Sequence, residues 1–153
     1  MTASWPTVAL HDVLAQRMDE VTVDRTDSYN MVGVLGFGRG VYFREVLSGL
    51  DTSYRSFFRV RSGDLLVSRV KAWEGAVGVV PPEFDGHFVS KEFPSFYPKT
   101  DVLDMRFLNW YLRSTVGVAA LQQATRGLGA RRERVKEAEF LALIRAHWPV
   151  LTR

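Results

Sequence analysis

Four glycines fall within eight residues in Gly33-Val34-Leu35-Gly36-Phe37-Gly38-Arg39-Gly40. Glycines at this density suit a loop whose backbone N–H groups cradle a phosphate. The spacing does not match the dinucleotide fingerprint, and no Lys-Ser/Thr follows as in a P-loop. Strand-like sequence flanks the segment on both sides, whereas both motifs need a helix to begin there. It reads instead as a glycine-rich β-connection, with Arg39 at its tip able to meet a DNA phosphate.

Other catalytic chemistry finds no constellation. His11, His87 and His147 are scattered without metal-ligand spacing, and cysteine is absent. No nucleophile elbow is present. There is also no Asn-Pro-Pro-Tyr/Phe segment of the kind amino-methyltransferases use, and no glycine loop suited to a methyl donor. No catalytic residue, metal ligand or cofactor is predicted.

Two segments carry chemistry of another kind. In residues 62–76, Arg69 and Lys71 interleave with Trp73 in a polar loop, after a tight Ser62-Gly63-Asp64 turn and a buried strand over 65–67. Cations for phosphate beside a flat apolar surface are what a DNA-facing loop needs. The alternative is that Trp73 belongs to the core while Arg69 and Lys71 are merely solvated. Residues 126–136 hold Arg126, Arg131, Arg132, Arg134 and Lys136 against the single acid Glu133. Such like charges repel one another and would relax on a polyanion, although a solvated turn between helices has the same composition. Arg131, Arg132 and Arg134 are assigned to phosphate. Arg69 and Lys71 are assigned to base edges, with Ser90 and Lys91 as a neighbouring polar contact.

The elements that must position these residues separate by pattern. Residues 1–30 form an acidic leading segment with a short apolar piece (Val8, Leu10, Val13, Leu14). Residues 29–99 read as β, with runs at 29–35, 40–46, 54–60, 65–70, 76–80 and 87–93 punctuated by Gly, Pro and Ser-Gly. Short strands at this spacing predict an α+β fold: a curved antiparallel β-sheet or partial barrel with a C-terminal amphipathic helix, in one domain. The helix is expected from Asp101 or Asp104 to about Ala124. Phe107, Leu108, Tyr111, Leu112, Thr115, Val116, Ala119 and Ala120 lie on one face of it. A second amphipathic piece carries Phe140, Leu141, Leu143 and Ile144.

Bulk properties agree with a nucleic-acid partner. The 153 residues carry a net charge of +3, but 18 of the basic and 12 of the acidic side chains fall in residues 31–153. Only four of the 20 basic residues are lysines, and arginine's planar fork suits phosphate and guanine edges. A GC-rich genome would produce the same bias. No signal peptide or membrane-length apolar stretch is present, so a cytoplasmic protein without a membrane partner is expected.

In order along the chain, these pieces resemble the target recognition domain of type I restriction–modification specificity subunits. The resemblance runs from Trp5 and Val8-Ala9-Leu10 through residues 29–34, 40–45, 60–68, 72–81 and 85–94. It continues with Asp104, Phe107-Leu108 and Tyr111-Leu112, and closes on residues 129–135, Phe140-Leu141 and Pro149. It implies a sequence-specific reader of double-stranded DNA that is not itself an enzyme. Methyltransferase (M) and restriction (R) subunits would supply the chemistry. It also implies one recognition domain over residues 1–153, lacking the long conserved dimerisation helix, with self-association left open. A competing expectation is a truncated, specificity-subunit-like module that binds or regulates an M or R subunit.

Overall fold

The computed structural model describes residues 7–101, 103–125, 134–143 and 145–147. In chain order the strands and helices are β1 (Thr7–Ala9), α1 (Leu10–Val13), β2 (Leu14–Arg17), β3 (Glu20–Thr22), β4 (Ser28–Leu35), β5 (Gly40–Ser48) and β6 (Ser56–Arg59). There follow β7 (Leu65–Val67), β8 (Val77–Val79), β9 (Phe88–Val89), β10 (Ser95–Pro98), α2 (Met105–Arg113), α3 (Thr115–Ala124), α4 (Glu137–Leu143) and β11 (Arg145–His147).

The fold is mixed α+β, and its sheets do not close into a barrel. One sheet has the order β2-β10-β7-β8, a second has the order β3-β6-β9-β4-β5, and β1 and β11 form an antiparallel ribbon. Among the described residues all pairings are antiparallel except a single parallel bridge, Met31 to Phe88. The short β7 explains how the layers stack. Leu65, Leu66 and Val67 are all buried, a run without alternation. Leu65 and Val67 point into a core shared with Leu10, Phe96, Leu108, Leu112, Leu121 and Phe140. Leu66 points the other way, into Val32, Val34, Val60 and Val89. The first sheet therefore lies between the helices and the second sheet, which is why its central strand is apolar on both faces. Each such buried side chain contributes about 1.5–3 kcal/mol by leaving water.

From Thr7 on, the leading acidic segment contributes β1, α1, β2 and β3. From β2, Arg17 reaches across to the almost fully buried Asp64 in the turn before β7, with both Nε and a terminal nitrogen donating to the carboxylate. Burial pushes the Asp64 carboxyl above its usual range, and the contact with Arg17 opposes that shift. The same contact raises the Arg17 guanidinium.

The helical half departs from expectation at one point: the helix predicted to run to Ala124 is two helices, meeting at Ser114. Asp104 is the cap, its carboxylate accepting from the backbone N–H groups of Arg106 and Phe107. The Ser114 hydroxyl donates to the Tyr111 carbonyl, ending α2, and accepts from Gly117 N–H, starting α3. The corner needs glycine at 117, because a Cβ there would stand 2.0 Å from the Tyr111 carbonyl oxygen.

Candidate nucleic-acid interface

The loop between β7 and β8 is built by its own backbone. Ser68 is buried, and its hydroxyl accepts from Lys71 N–H, bending the chain into a 3₁₀ turn at Ala72–Glu74. Trp73 is half-buried on that turn, donating from its indole N–H to the Val70 carbonyl, while Gln122 of α3 donates to the Trp73 carbonyl. The indole is thus neither a core residue nor a free one. Lys71 is exposed, with its ammonium 5.9 Å from the Trp73 ring and 3.6 Å from Glu74.

On one side of this loop the predicted residues converge on a small pocket. Arg69, Ser90 and Lys91 line it together with Arg17 and Glu137. Arg69 turns inward: its Nε donates to the Val135 carbonyl at 3.3 Å and lies 3.6 Å from a Glu137 oxygen. Ser90 is buried, and its hydroxyl accepts from Glu92 N–H. Arg134 donates to Glu92 at 2.7 Å. Lys91 is exposed. Arg126, Arg131 and Arg132 lie outside the described residues. Both described flanks of their segment abut this loop, since α3 packs on the 72–74 turn and Val135 N–H donates to the Arg69 carbonyl.

On the other side lies a surface that sequence reasoning did not single out, apart from Arg39. The β4–β5 hairpin tip is pinned to the loop by Phe37 N–H donating to the Glu74 carbonyl at 2.7 Å. Among the described residues, Phe37 is the one non-glycine with positive φ, at 58°, and it is 75% exposed. Arg39 donates to the Gly36 carbonyl, and Arg113 of α2 donates to the Gly38 carbonyl at 2.7 Å. Phe37, Trp73, Arg113 and Gln122 border a cleft of about 250 Å³. Beside it, Trp110 is 61% exposed, between Arg106 and Arg113 along α2. The sequence does carry a signal for Trp110: it stands off the apolar stripe of its helix, at the i+4 position from Arg106 and three residues before Arg113. Phe37 has no such signal, because its exposure depends on the hairpin geometry.

Among the described residues no three His, Asp or Glu side chains gather as a metal site, and no helix is long and apolar enough to cross a membrane.

No family model and no curated protein sequence matches the chain. Solved structures do. The HsdS subunit from Thermoanaerobacter tengcongensis superposes with a TM-score of 0.72 at 19% identity, covering 93% of this chain and 37% of that one. A structure from work on assembly and conformational transition of the type I R-M system gives a TM-score of 0.73 at 17% identity, with the same coverage. The S subunit of a type I restriction–modification system from M. genitalium gives 0.56 at 11% identity, covering 92% of this chain and 33% of that one. The chain spans about a third of the length of these proteins. What it shares with them is a fold, and that fold is the one found in type I restriction–modification S subunits.

Proposed function

We propose that the chain is a non-catalytic, sequence-specific DNA-binding module of a type I restriction–modification specificity subunit, working in the cytoplasm beside M and R subunits that carry out the chemistry. The observation that carries this reading is the likeness to S-subunit structures over more than nine-tenths of the chain. It coincides with the ordered series of sequence pieces that pointed to the same subunit. The basic and aromatic residues around the 68–74 loop supply what the reading requires. Arg39, Lys71, Lys91 and Arg134 are exposed cations for phosphate. Trp73 stiffens the loop that carries Lys71, and Arg69 and Ser90 stand at its base. In this reading Arg126, Arg131 and Arg132 add further phosphate contacts.

Phosphate contacts displace condensed counterions, so affinity must fall as salt rises. Titration of the full chain with duplex DNA at stepped salt should give a slope of log affinity on log salt of about −3 to −6. An affinity that does not change with salt would reject the reading.

A further inference from the structure

The hairpin tip combines features that a solvated turn does not need. A bulky side chain is kept in the left-handed region, where only glycine sits without strain. Three hydrogen bonds nevertheless fix that backbone: Phe37 N–H to Glu74, Arg39 to Gly36, and Arg113 to Gly38. The result is an aromatic ring presented to solvent at 75% exposure, more than any other large hydrophobic side chain among the described residues. Arg39 and Arg113 bond the carbonyls of Gly36 and Gly38, the two chain neighbours of Phe37. Both give their hydrogen bonds at the tip to neutral carbonyls, and the Glu74 carboxylate that borders the same cleft lies 3.6 Å from the Lys71 ammonium. Trp110 extends the same aromatic surface along α2.

An exposed ring whose neighbouring backbone is held by two guanidinium groups matches the chemistry of a base step, where an apolar face lies near phosphates. We propose that Phe37 is a stacking wedge that enters a base step of bound duplex DNA while Arg39 and Arg113 hold the flanking phosphates. The wedge rests on the DNA-binding reading and adds a particular deformation to it. A rigid tip is what such a role requires, since a mobile phenylalanine would lose its ordering entropy on each insertion. The left-handed backbone is then the local strain that keeps the ring outward instead of folded onto the cleft wall.

The test uses the full chain and duplexes retained by it from a random pool, carrying 2-aminopurine at successive positions. Wild-type protein should raise the fluorescence at one step, as the probe base unstacks. Phe37→Gly should keep salt-dependent binding, lose that signal and bind about 10-fold more weakly. Its Tm should be unchanged or higher, because glycine suits the backbone at this position. Phe37→Leu should keep part of the signal, as an aliphatic wedge would. If the duplex binds without any fluorescence rise, or the rise persists in Phe37→Gly, the wedge is wrong and the DNA reading stands. Duplex binding by Phe37→Gly equal to wild type likewise overturns the wedge. If wild-type chain binds no duplex at any salt, the DNA reading fails and the wedge fails with it.

Discussion

The two sides of the 68–74 loop both carry arginines, but they treat them differently. On the β9–β10 side each arginine meets a carboxylate, Arg69 with Glu137 and Arg134 with Glu92. On the hairpin side Arg39 and Arg113 hydrogen-bond backbone carbonyls. A carbonyl orients a guanidinium without neutralising it, whereas a carboxylate must be displaced before a phosphate can take its place. A count of cations along the sequence treats these residues alike. The structure separates arginines paired with carboxylates from arginines bonded to carbonyls.

The largest effect expected is loss of the hairpin side as a unit. Gly117→Ala would drive a Cβ into the Tyr111 carbonyl and open the α2–α3 corner that presents Arg113 and Trp110. Backbone cannot yield as a flexible side chain would, so the change should cost about 3 kcal/mol or more in urea unfolding. A variant as stable as wild type would show that the corner relaxes and does not brace that surface.

Next in size is the contrast between Arg69 and Arg113. Arg69→Ala should lower stability by about 1 kcal/mol through the lost contacts to Val135 and Glu137. If Arg69 also reads a base, it should cost about 1–3 kcal/mol on the preferred duplex and much less on unrelated DNA. Arg113→Ala should lower Tm only slightly, since its bond to Gly38 is exposed, weaken binding to every duplex alike and reduce the salt slope by about one unit. Thermal melts and salt titrations of both variants decide the matter, and exchanged phenotypes would invert the comparison.

The smallest effect is a gain. Glu92→Gln removes the carboxylate facing Arg134 and should tighten DNA binding by a few fold, since an exposed pair is worth only about 0–1 kcal/mol. Unchanged affinity would mean that Arg134 does not approach phosphate.

Much of the fold could be read along the chain because its signals are local. The apolar run at Leu65–Val67 and the glycine turns announce strands whatever they pair with. β10 was harder to see, because Pro94 and Pro98 bracket Ser95-Phe96-Tyr97 and look like loop punctuation, yet Ser95–Pro98 pairs with β2 along its length. The break at Ser114 was hidden by apolar periodicity that continues through it. The acidic leading segment carried no strand signal, since the partner of its Arg17 lies 47 residues away. The site was legible in part for the same reason. Arg69, Lys71 and Trp73 stood out as neighbours in sequence, but the pairing of Arg134 with Glu92 joins residues 42 apart, and that of Arg113 with Gly38 joins residues 75 apart. No local pattern distinguishes a cation that will be neutralised from one that will not.

The ribbon of β1 and β11 gives the domain a property that none of its contacts with a ligand would supply. Thr7 pairs with His147 and Ala9 with Arg145, so the polypeptide arrives and departs side by side. Neighbouring strands lie about 4.8 Å apart, and a host chain interrupted at one point needs no more room than that to accept the whole body between its two cut ends.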